Sequence, residues 1–471
     1  MKKLNKNIEV LETLKSKMTL IIFIVLAMIS TLCFLHPDIF ITTRHSYYLY
    51  SHGNFYQNTM NVIVTANGNV TAVYELPLYL IFAVWNFPLY IISKISGHDI
   101  FAFYTSDLSK SIFIFKLLWA KILVIIFLFS TSKYIQKISL ELGFSLEKAK
   151  KTAFIFLISI FTFFPVFIFS QYDIIPLFFI MAGIYHYIRK DKKKFFIYFA
   201  IAITLKTYAI FIFLPLLLLI EKKIFKILVN FLLVLSPLIF LKLFLIHDKF
   251  YHLSQIAFTN EMLRRLLAAT LMGSHGSISI FIMIMFFICL FSYLKYPEND
   301  ELKIFSIYIP LLVYMSFFSL ILYHPQWLII LAPFLCITLA INNTTINRIL
   351  EVILSVSYLI VSFIIFKVVF SVEIINSYFL PKIYRNHGSQ KFQNINEIIQ
   401  KVYKNEPVLL TLALTLFVSS CIGFLVLNFP KKNWSIKDIE KTEITEKDNL
   451  IRLSIPVVLV MLLLFCYYYS G

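Results

Sequence analysis

The sequence predicts an all-α protein, a polytopic transmembrane helical bundle of about 11–13 spans. Three observations carry that expectation. Of 471 residues, 59% are hydrophobic and 14% charged, with mean hydropathy +0.82; a soluble chain carries roughly a quarter charged residues. Apolar runs of about 20 residues, the length needed to cross a bilayer core, recur from end to end. The lysines gather beside those runs, so the formal charge of +18 reads as positive-inside topology and not as nucleic-acid binding.

The elements follow in order. A basic stretch at residues 2–17 precedes the apolar run 18–35, and His36-Pro37-Asp38 follows where a small-residue cleavage site would stand. The run is therefore expected to be a retained first span with residues 1–17 in the cytoplasm. Residues 76–92 are apolar but carry Pro77 and Pro88, which suits a re-entrant or interfacial helix in the first outer loop. Clear spans are expected at 112–130, 152–169, 174–188, 224–246, 278–294, 304–322, 327–341, 349–371, 408–427 and 453–469.

Charge arbitrates the topology. Lys133, Lys137, Lys148, Lys150 and Lys151 read as one basic cytoplasmic loop, as do 189–194, 221–223 and Lys431-Lys432. Residues 195–220 keep both basic flanks inside only as a short helical hairpin with Lys206 near its apex. The polar segments 36–74, 171–173, 247–277, 323–326 and 372–406 then share the outer side. Residues 18–371 read as a membrane core, 372–471 as an outer loop with C-terminal spans, and 431–449 as a solvated linker.

The tetrapeptide Ser170-Gln171-Tyr172-Asp173 stands out, because it interrupts a long apolar stretch with a carboxylate. Such a group is costly toward lipid and useful beside a watery cavity. Asp173 reads either as an acid at a helix N-terminus or as a site carboxylate, with Gln171 and Tyr172 suited to sugar hydroxyls. Asp38 reads either as a helix cap or as a general base at the membrane surface. Arg44 and His45 suit a phosphate or an ordinary surface. Lys206 either snorkels to an interface or faces an anionic partner. Arg264, Arg265 and His275 lie on the 247–277 segment, which suits a phosphate clamp and an amphipathic surface helix equally.

The five cysteines lie within apolar runs and offer neither a disulfide framework nor a metal site. The chain contains no Walker-type loop, no His-Glu-x-x-His helix and no Gly-x-Ser-x-Gly elbow. A lipid-carried donor therefore fits better than a soluble nucleotide sugar.

Residues 163–215 resemble the GT-C superfamily of multispanning glycosyltransferases, which take sugars from polyprenyl-phosphate carriers on the outer face. The likeness rests on Gln171 and Asp173 at the start of a span, the basic turn 189–194 and Lys206 in the next apolar segment. Asp38 after the first span and Tyr74-Glu75-Leu76-Pro77 extend it. So does Tyr323-His324-Pro325-Gln326-Trp327 followed by Ala332-Pro333, which adds His324 and Gln326 as candidate substrate ligands. The sequence departs from the family in having Ser170 where many members have Gly, and in lacking a paired acid motif in the first outer loop. The second departure leaves dependence on a divalent metal open.

The resemblance implies an inverting, mannosyltransferase-like enzyme of the cell membrane with its site facing outward and residues 18–371 as catalytic core. Its partners would be a polyprenyl-phosphate sugar, a lipid-linked glycan or protein acceptor and membrane lipids, with no nucleic acid. Asp38 and Asp173 would be its catalytic acids. Two rivals stand beside it. An O-antigen or capsule-type polymerase or ligase would hold essential arginines in a large outer loop, where 372–406 offers only Arg385. A flippase or transporter of lipid-linked sugar would show paired broken helices in both halves.

Overall fold

The computed structural model describes residues 2–34, 36–60, 63–65, 68–69, 72–97, 111–273, 276–365, 406–430 and 443–469. The described residues are helical almost throughout. The helices are α1 (Lys2–Cys33), α2 (Pro37–Tyr47), α3 (Phe55–Met60), α4 (Leu76–Ser96), α5 (Ser111–Glu141) and α6 (Leu146–Ile158). There follow α7 (Ile160–Phe163), α8 (Ile174–Ile188), α9 (Lys192–Leu205), α10 (Ile210–Ile220), α11 (Ile224–Phe244) and α12 (Lys249–Leu266). The last six are α13 (Ile280–Leu294), α14 (Asn299–Leu320), α15 (Ala332–Ile341), α16 (Thr345–Ile365), α17 (Glu406–Leu427) and α18 (Glu446–Tyr469). The strands among the described residues form two antiparallel hairpins, Ile63–Thr65 with Gly68–Asn69 and Thr270–Gly273 with Gly276–Ser279.

Eight helices among the described residues are long and apolar enough to cross a membrane, or nine if the bent pair Leu146–Ile158 and Ile160–Ile168 counts as one span. Four shorter apolar helices accompany them. The chain is a multi-pass membrane protein. Helix α11 shows why: Ile224, Phe225, Phe240 and Phe244 are each more than 70% exposed. A wall of such side chains is stable toward lipid and not toward water.

Local chemistry sets the helix ends. The Asp248 carboxylate accepts from the amides of Phe250 and Tyr251 at 2.9 and 3.1 Å and so starts α12. Asp191 starts α9 by accepting from the Lys194 amide at 3.1 Å. Glu298 and Glu301 form a capping box on α14.

The structure departs from the sequence expectations in three places, the basic loop, the span 152–169 and the linker 431–449, while residues 76–92 lie in one unbroken helix of 21 residues, α4. Pro77 sits in its first turn, where no backbone N–H is needed, and Gly97 closes it at φ 66. Lys133 and Lys137 belong to α5 and Lys148, Lys150 and Lys151 to α6, so the expected basic loop shrinks to the turn between two helices. The expected span 152–169 bends by 57° where Ser159 turns extended, and π-helical residues Phe164–Ile168 follow around Pro165. The expected linker 431–449 ends in structure, with Asp448 and Asn449 buried at the start of α18; residues 431–442 lie outside the described residues.

The chain forms two compact units. The first comprises Met1–His36, Ile135–Ser170 and His324–Gly471. In it α16, α17 and α18 are joined by buried polar groups. The Asn347 amide donates to Asn428 Oδ1 at 3.1 Å and Asn428 donates back at 3.0 Å. The Arg452 Nε donates to both oxygens of Glu351 at 2.8 and 2.9 Å.

The second unit comprises Pro37–Tyr134 and Gln171–Tyr323. Trp85 of α4 and Trp119 of α5 stack at 4.7 Å, and each indole N–H donates to the other's carbonyl at 2.8 and 3.1 Å. Phe213 of α10 lies 5.4 Å from both Phe195 and Phe199 of α9. A straight helix would separate residues 195 and 213 by about 27 Å, so the chain folds back at Lys206 into the expected hairpin.

Gly183 of α8 lets that hairpin approach: a Cβ there would fall 2.7 Å from the Phe199 ring, which is itself fully buried. Gly183→Ala should lower stability by about 1–3 kcal/mol through overpacking. Thermal unfolding of the detergent-solubilised variant checks this, and an unchanged midpoint would mean the ring has room to move.

Candidate functional site

The turn between the residues that close the π-helical segment and α8 is strained at its entry. Ser170 has φ 55, a left-handed conformation that costs a residue with a Cβ about 1–2 kcal/mol. This gives the Gly-to-Ser difference at that position a physical meaning, since Gly would take the same φ freely.

Beyond it the second unit gathers a polar cluster. Asp173 is completely buried and immediately precedes α8, yet its side chain caps no amide of that helix. The carboxylate turns instead to two partners. Gln171 Nε2 donates to Oδ2 at 2.8 Å, and Lys206 Nζ lies 2.8 Å from Oδ1 in an ion pair. The helix-terminus explanation of Asp173 is thereby replaced by a buried salt bridge.

Lys206 sits between α9 and the short 3-10 turn Thr207–Ala209, in extended conformation, and its side chain is 11% exposed. The ammonium does not reach outward. Its Nζ lies 4.2 Å from the centre of the Tyr74 ring and 5.7 Å from that of Tyr172, whose edges meet at 5.3 Å between centres. Two aromatic faces and one carboxylate thus hold one cation. Tyr208 adds a long hydrogen bond of 3.4 Å to the Asp173 carbonyl.

Asp38 lies in the first turn of α2, and its charge reaches both Tyr74 and Tyr172. Desolvation pushes the Tyr74 phenol well above its usual range, and the charges of Asp38 and Asp173 add to the effect. Thr42, one helical turn beyond Asp38, hydrogen-bonds Tyr172. His45, another turn along the same face, is buried with its ring 5.9 Å from Tyr79. Arg44, six residues from Asp38, falls on a different face of α2.

The other expected site residues stand elsewhere. Arg264 and Arg265 close α12, where both bind Glu261 at 2.7–2.8 Å and hold its carboxyl down at about 2. His275 lies outside the described residues. His324 and Gln326 belong to the other unit, His324 at 5.1 Å from Trp327 and Gln326 buried. Among the described residues no three His, Cys, Asp or Glu side chains converge as a metal site would require.

Sequence reasoning missed a second carboxylate–lysine pair. Glu75 Oε1 lies 3.0 Å from Lys242 Nζ, and the Tyr251 hydroxyl donates to both Glu75 oxygens at 3.2 and 3.0 Å. The backbone beside it is held as firmly. The Tyr56 hydroxyl donates to the Tyr74 carbonyl at 3.4 Å, Gln255 to the Val73 carbonyl at 3.1 Å, and the Tyr74 amide to Tyr79 at 3.3 Å. This clamp fixes the Tyr74 ring over Lys206. Lys242 had the same signal as Lys206, a lone cation inside an apolar run.

One acceptor of the cluster remains unused: Gln171 Oε1 is buried with no hydrogen-bond donor. Buried acceptors of this kind are rare and call for an explanation. The fold and the cluster together define a class, that of multi-pass helical membrane proteins with a buried, aromatic-lined carboxylate–lysine pair. In comparisons with known proteins, no family model matches the chain and no curated protein matches it.

Proposed function

We propose that the chain is an inverting membrane glycosyltransferase of GT-C type that moves a sugar from a polyprenyl-phosphate carrier to a lipid-linked glycan or other acceptor. The observation that supports this best is the unused Gln171 Oε1, buried beside the Asp173–Lys206 pair. A sugar hydroxyl supplies the donor that this oxygen lacks. Asp38, whose charge acts on the same two tyrosines, is the second acid.

In this reading the acceptor hydroxyl oxygen attacks the anomeric carbon while the bond from that carbon to the phosphate oxygen breaks. The hydroxyl proton passes to the Asp38 carboxylate, and the phosphate leaves with the electron pair. Gln171 and Asp173 orient the sugar or the acceptor. Lys206 stabilises the leaving phosphate where negative charge develops, which requires it to exchange Asp173 for the phosphate. Arg264 and Arg265 would add to that stabilisation, and Arg265 can do so while its Nε stays on Glu261.

The same reading puts the N-terminus and the basic turns in the cytoplasm and the Asp173 cluster toward the outer face, in a bundle of about 11–13 spans. It counts the bent pair and the four shorter apolar helices with the eight long ones. It also leaves α4, long enough to cross, as a helix that lies in or re-enters the membrane, since a full crossing would reverse the sides of the next basic turns.

The test is transfer by purified protein from a panel of polyprenyl-phosphate sugars. Asp38→Asn should lower product by about 10²–10⁴-fold, the usual worth of a general base, and Asp173→Asn should lower it too by misplacing the sugar or acceptor, while elution and membrane insertion stay normal. Near-normal product from both variants refutes the assignment. Movement of lipid-linked sugar across vesicles without bond formation would replace it with transport.

A further inference from the structure

At the end of the second unit remote from Lys206, three turns meet: the one joining α8 to α9, the one joining α10 to α11, and the one joining α13 to α14. Between them lies a cavity of about 330 Å³ lined by Lys190, Lys192, Lys222, Tyr187 and Tyr296, with an apolar wall that includes Phe195 and Leu302. No carboxylate lines it.

Most acids of these turns have partners of their own. Asp191 lies 3.5 Å from Lys194 Nζ and 3.4 Å from the His186 ring. Glu301 pairs with Lys295 at 3.1 Å and Asp300 with Lys303 at 3.6 Å. Glu221 accepts from the amides of Lys222 and Lys223 at 3.2 Å each, and its carboxylate also feels the charge of Lys192.

The lining cations, by contrast, bind neutral acceptors. Lys222 donates to the carbonyls of Leu218, Ser292 and Lys295 at 2.7, 2.8 and 2.7 Å, which consumes all three of its protons. That makes it the fixed part of the wall. Lys190 donates to the Asn299 side-chain oxygen, and the Lys192 side chain, which is exposed, makes no ion pair with a carboxylate within 4 Å among the described residues. Lys190 also holds φ 61, so strain is spent on keeping it in this turn.

Positive charge without a lining acid, beside tyrosines and an apolar wall, matches one chemistry: a phosphodiester headgroup with hydrocarbon attached. Basic pockets between membrane helices on the cytoplasmic side bind anionic lipid headgroups by this means. We infer that this cavity is a binding site for an anionic phospholipid of the leaflet that meets the basic turns. The inference is independent of the Asp173 cluster and of any transfer reaction.

The experiment uses the full chain in nanodiscs of phosphatidylcholine with and without phosphatidylglycerol, reading retained lipid by native mass spectrometry and stability by thermal melting. The wild type should retain phosphatidylglycerol in preference to phosphatidylcholine and melt higher with it. The double variant Lys190→Gln/Lys192→Gln should lose at least about tenfold in that preference, given what each lysine near a charged surface contributes. Lys193→Gln/Lys249→Gln, an equal charge change at exposed lysines outside the cavity, should change it less than about twofold. A wild type with no lipid preference overturns the inference, whatever the variants do. So does an equal loss in both variants, or displacement of the lipid by inorganic phosphate alone, which would mark a site for a soluble anion.

Discussion

Lys206→Met should cost the folded protein about 3–5 kcal/mol, the penalty of stranding one member of a buried ion pair. The pair qualifies because the two side chains are 11% and 1% exposed, so solvent cannot take the place of the missing partner. Removing the lysine leaves the Asp173 carboxylate with the Gln171 amide and no cation. The reverse change, Asp173→Asn, should cost less. The stranded ammonium keeps the Tyr74 face at 4.2 Å, and a desolvated cation over a ring retains about 2 kcal/mol. The double variant Asp173→Leu/Lys206→Met should recover most of the loss, since an apolar pair of similar volume is often neutral or better. Denaturant melts of the wild type, Asp173→Leu, Lys206→Met and the double variant close the cycle. If the two single losses simply add, the residues are not coupled and the cluster is not a pair in solution.

Arg452→Met is expected to be comparably severe, about 3–5 kcal/mol, for the same reason in the other unit. Glu351 and Arg452 are 7% and 4% exposed, and one guanidinium nitrogen serves both carboxylate oxygens. Glu351→Gln should be milder, because the amide oxygen still accepts from that nitrogen. Arg452→Lys should not rescue, because an ammonium lacks the fixed geometry of the guanidinium. The loss should be local as well as global. Helix α18 is otherwise tied to α16 by Arg348 and Asp448, so hydrogen exchange across residues 446–469 should rise before the rest of its unit opens. Uniform exchange throughout the unit would show that α18 is not held by this pair.

The helical, membrane-spanning character of the chain was legible because length and hydropathy report it directly. The hairpin at Lys206 was legible too, from basic flanks that had to share one side. The pairing of Asp173 with Lys206 was only half legible. Both residues stood out as ions in apolar surroundings, but spacing along the chain cannot say that residues 173 and 206 meet. The same limit hid Glu75, which meets Lys242 and Tyr251 across more than 160 positions. Arg264 and Arg265 were misleading for a simpler reason: Glu261 lies three and four residues earlier on the same helix, where i,i+3 and i,i+4 neighbours neutralise one another.

The two legs of the Lys206 hairpin have a consequence for the depth of its apex. They contain 14 and 11 residues, about 21 and 17 Å of helix, against a hydrocarbon slab of about 30 Å. Neither leg matches the slab. The second leg exposes none of its residues, so protein and not lipid surrounds it. A hairpin whose basic flanks stand at one surface therefore turns before reaching the other, which leaves Lys206 within the depth of the hydrocarbon.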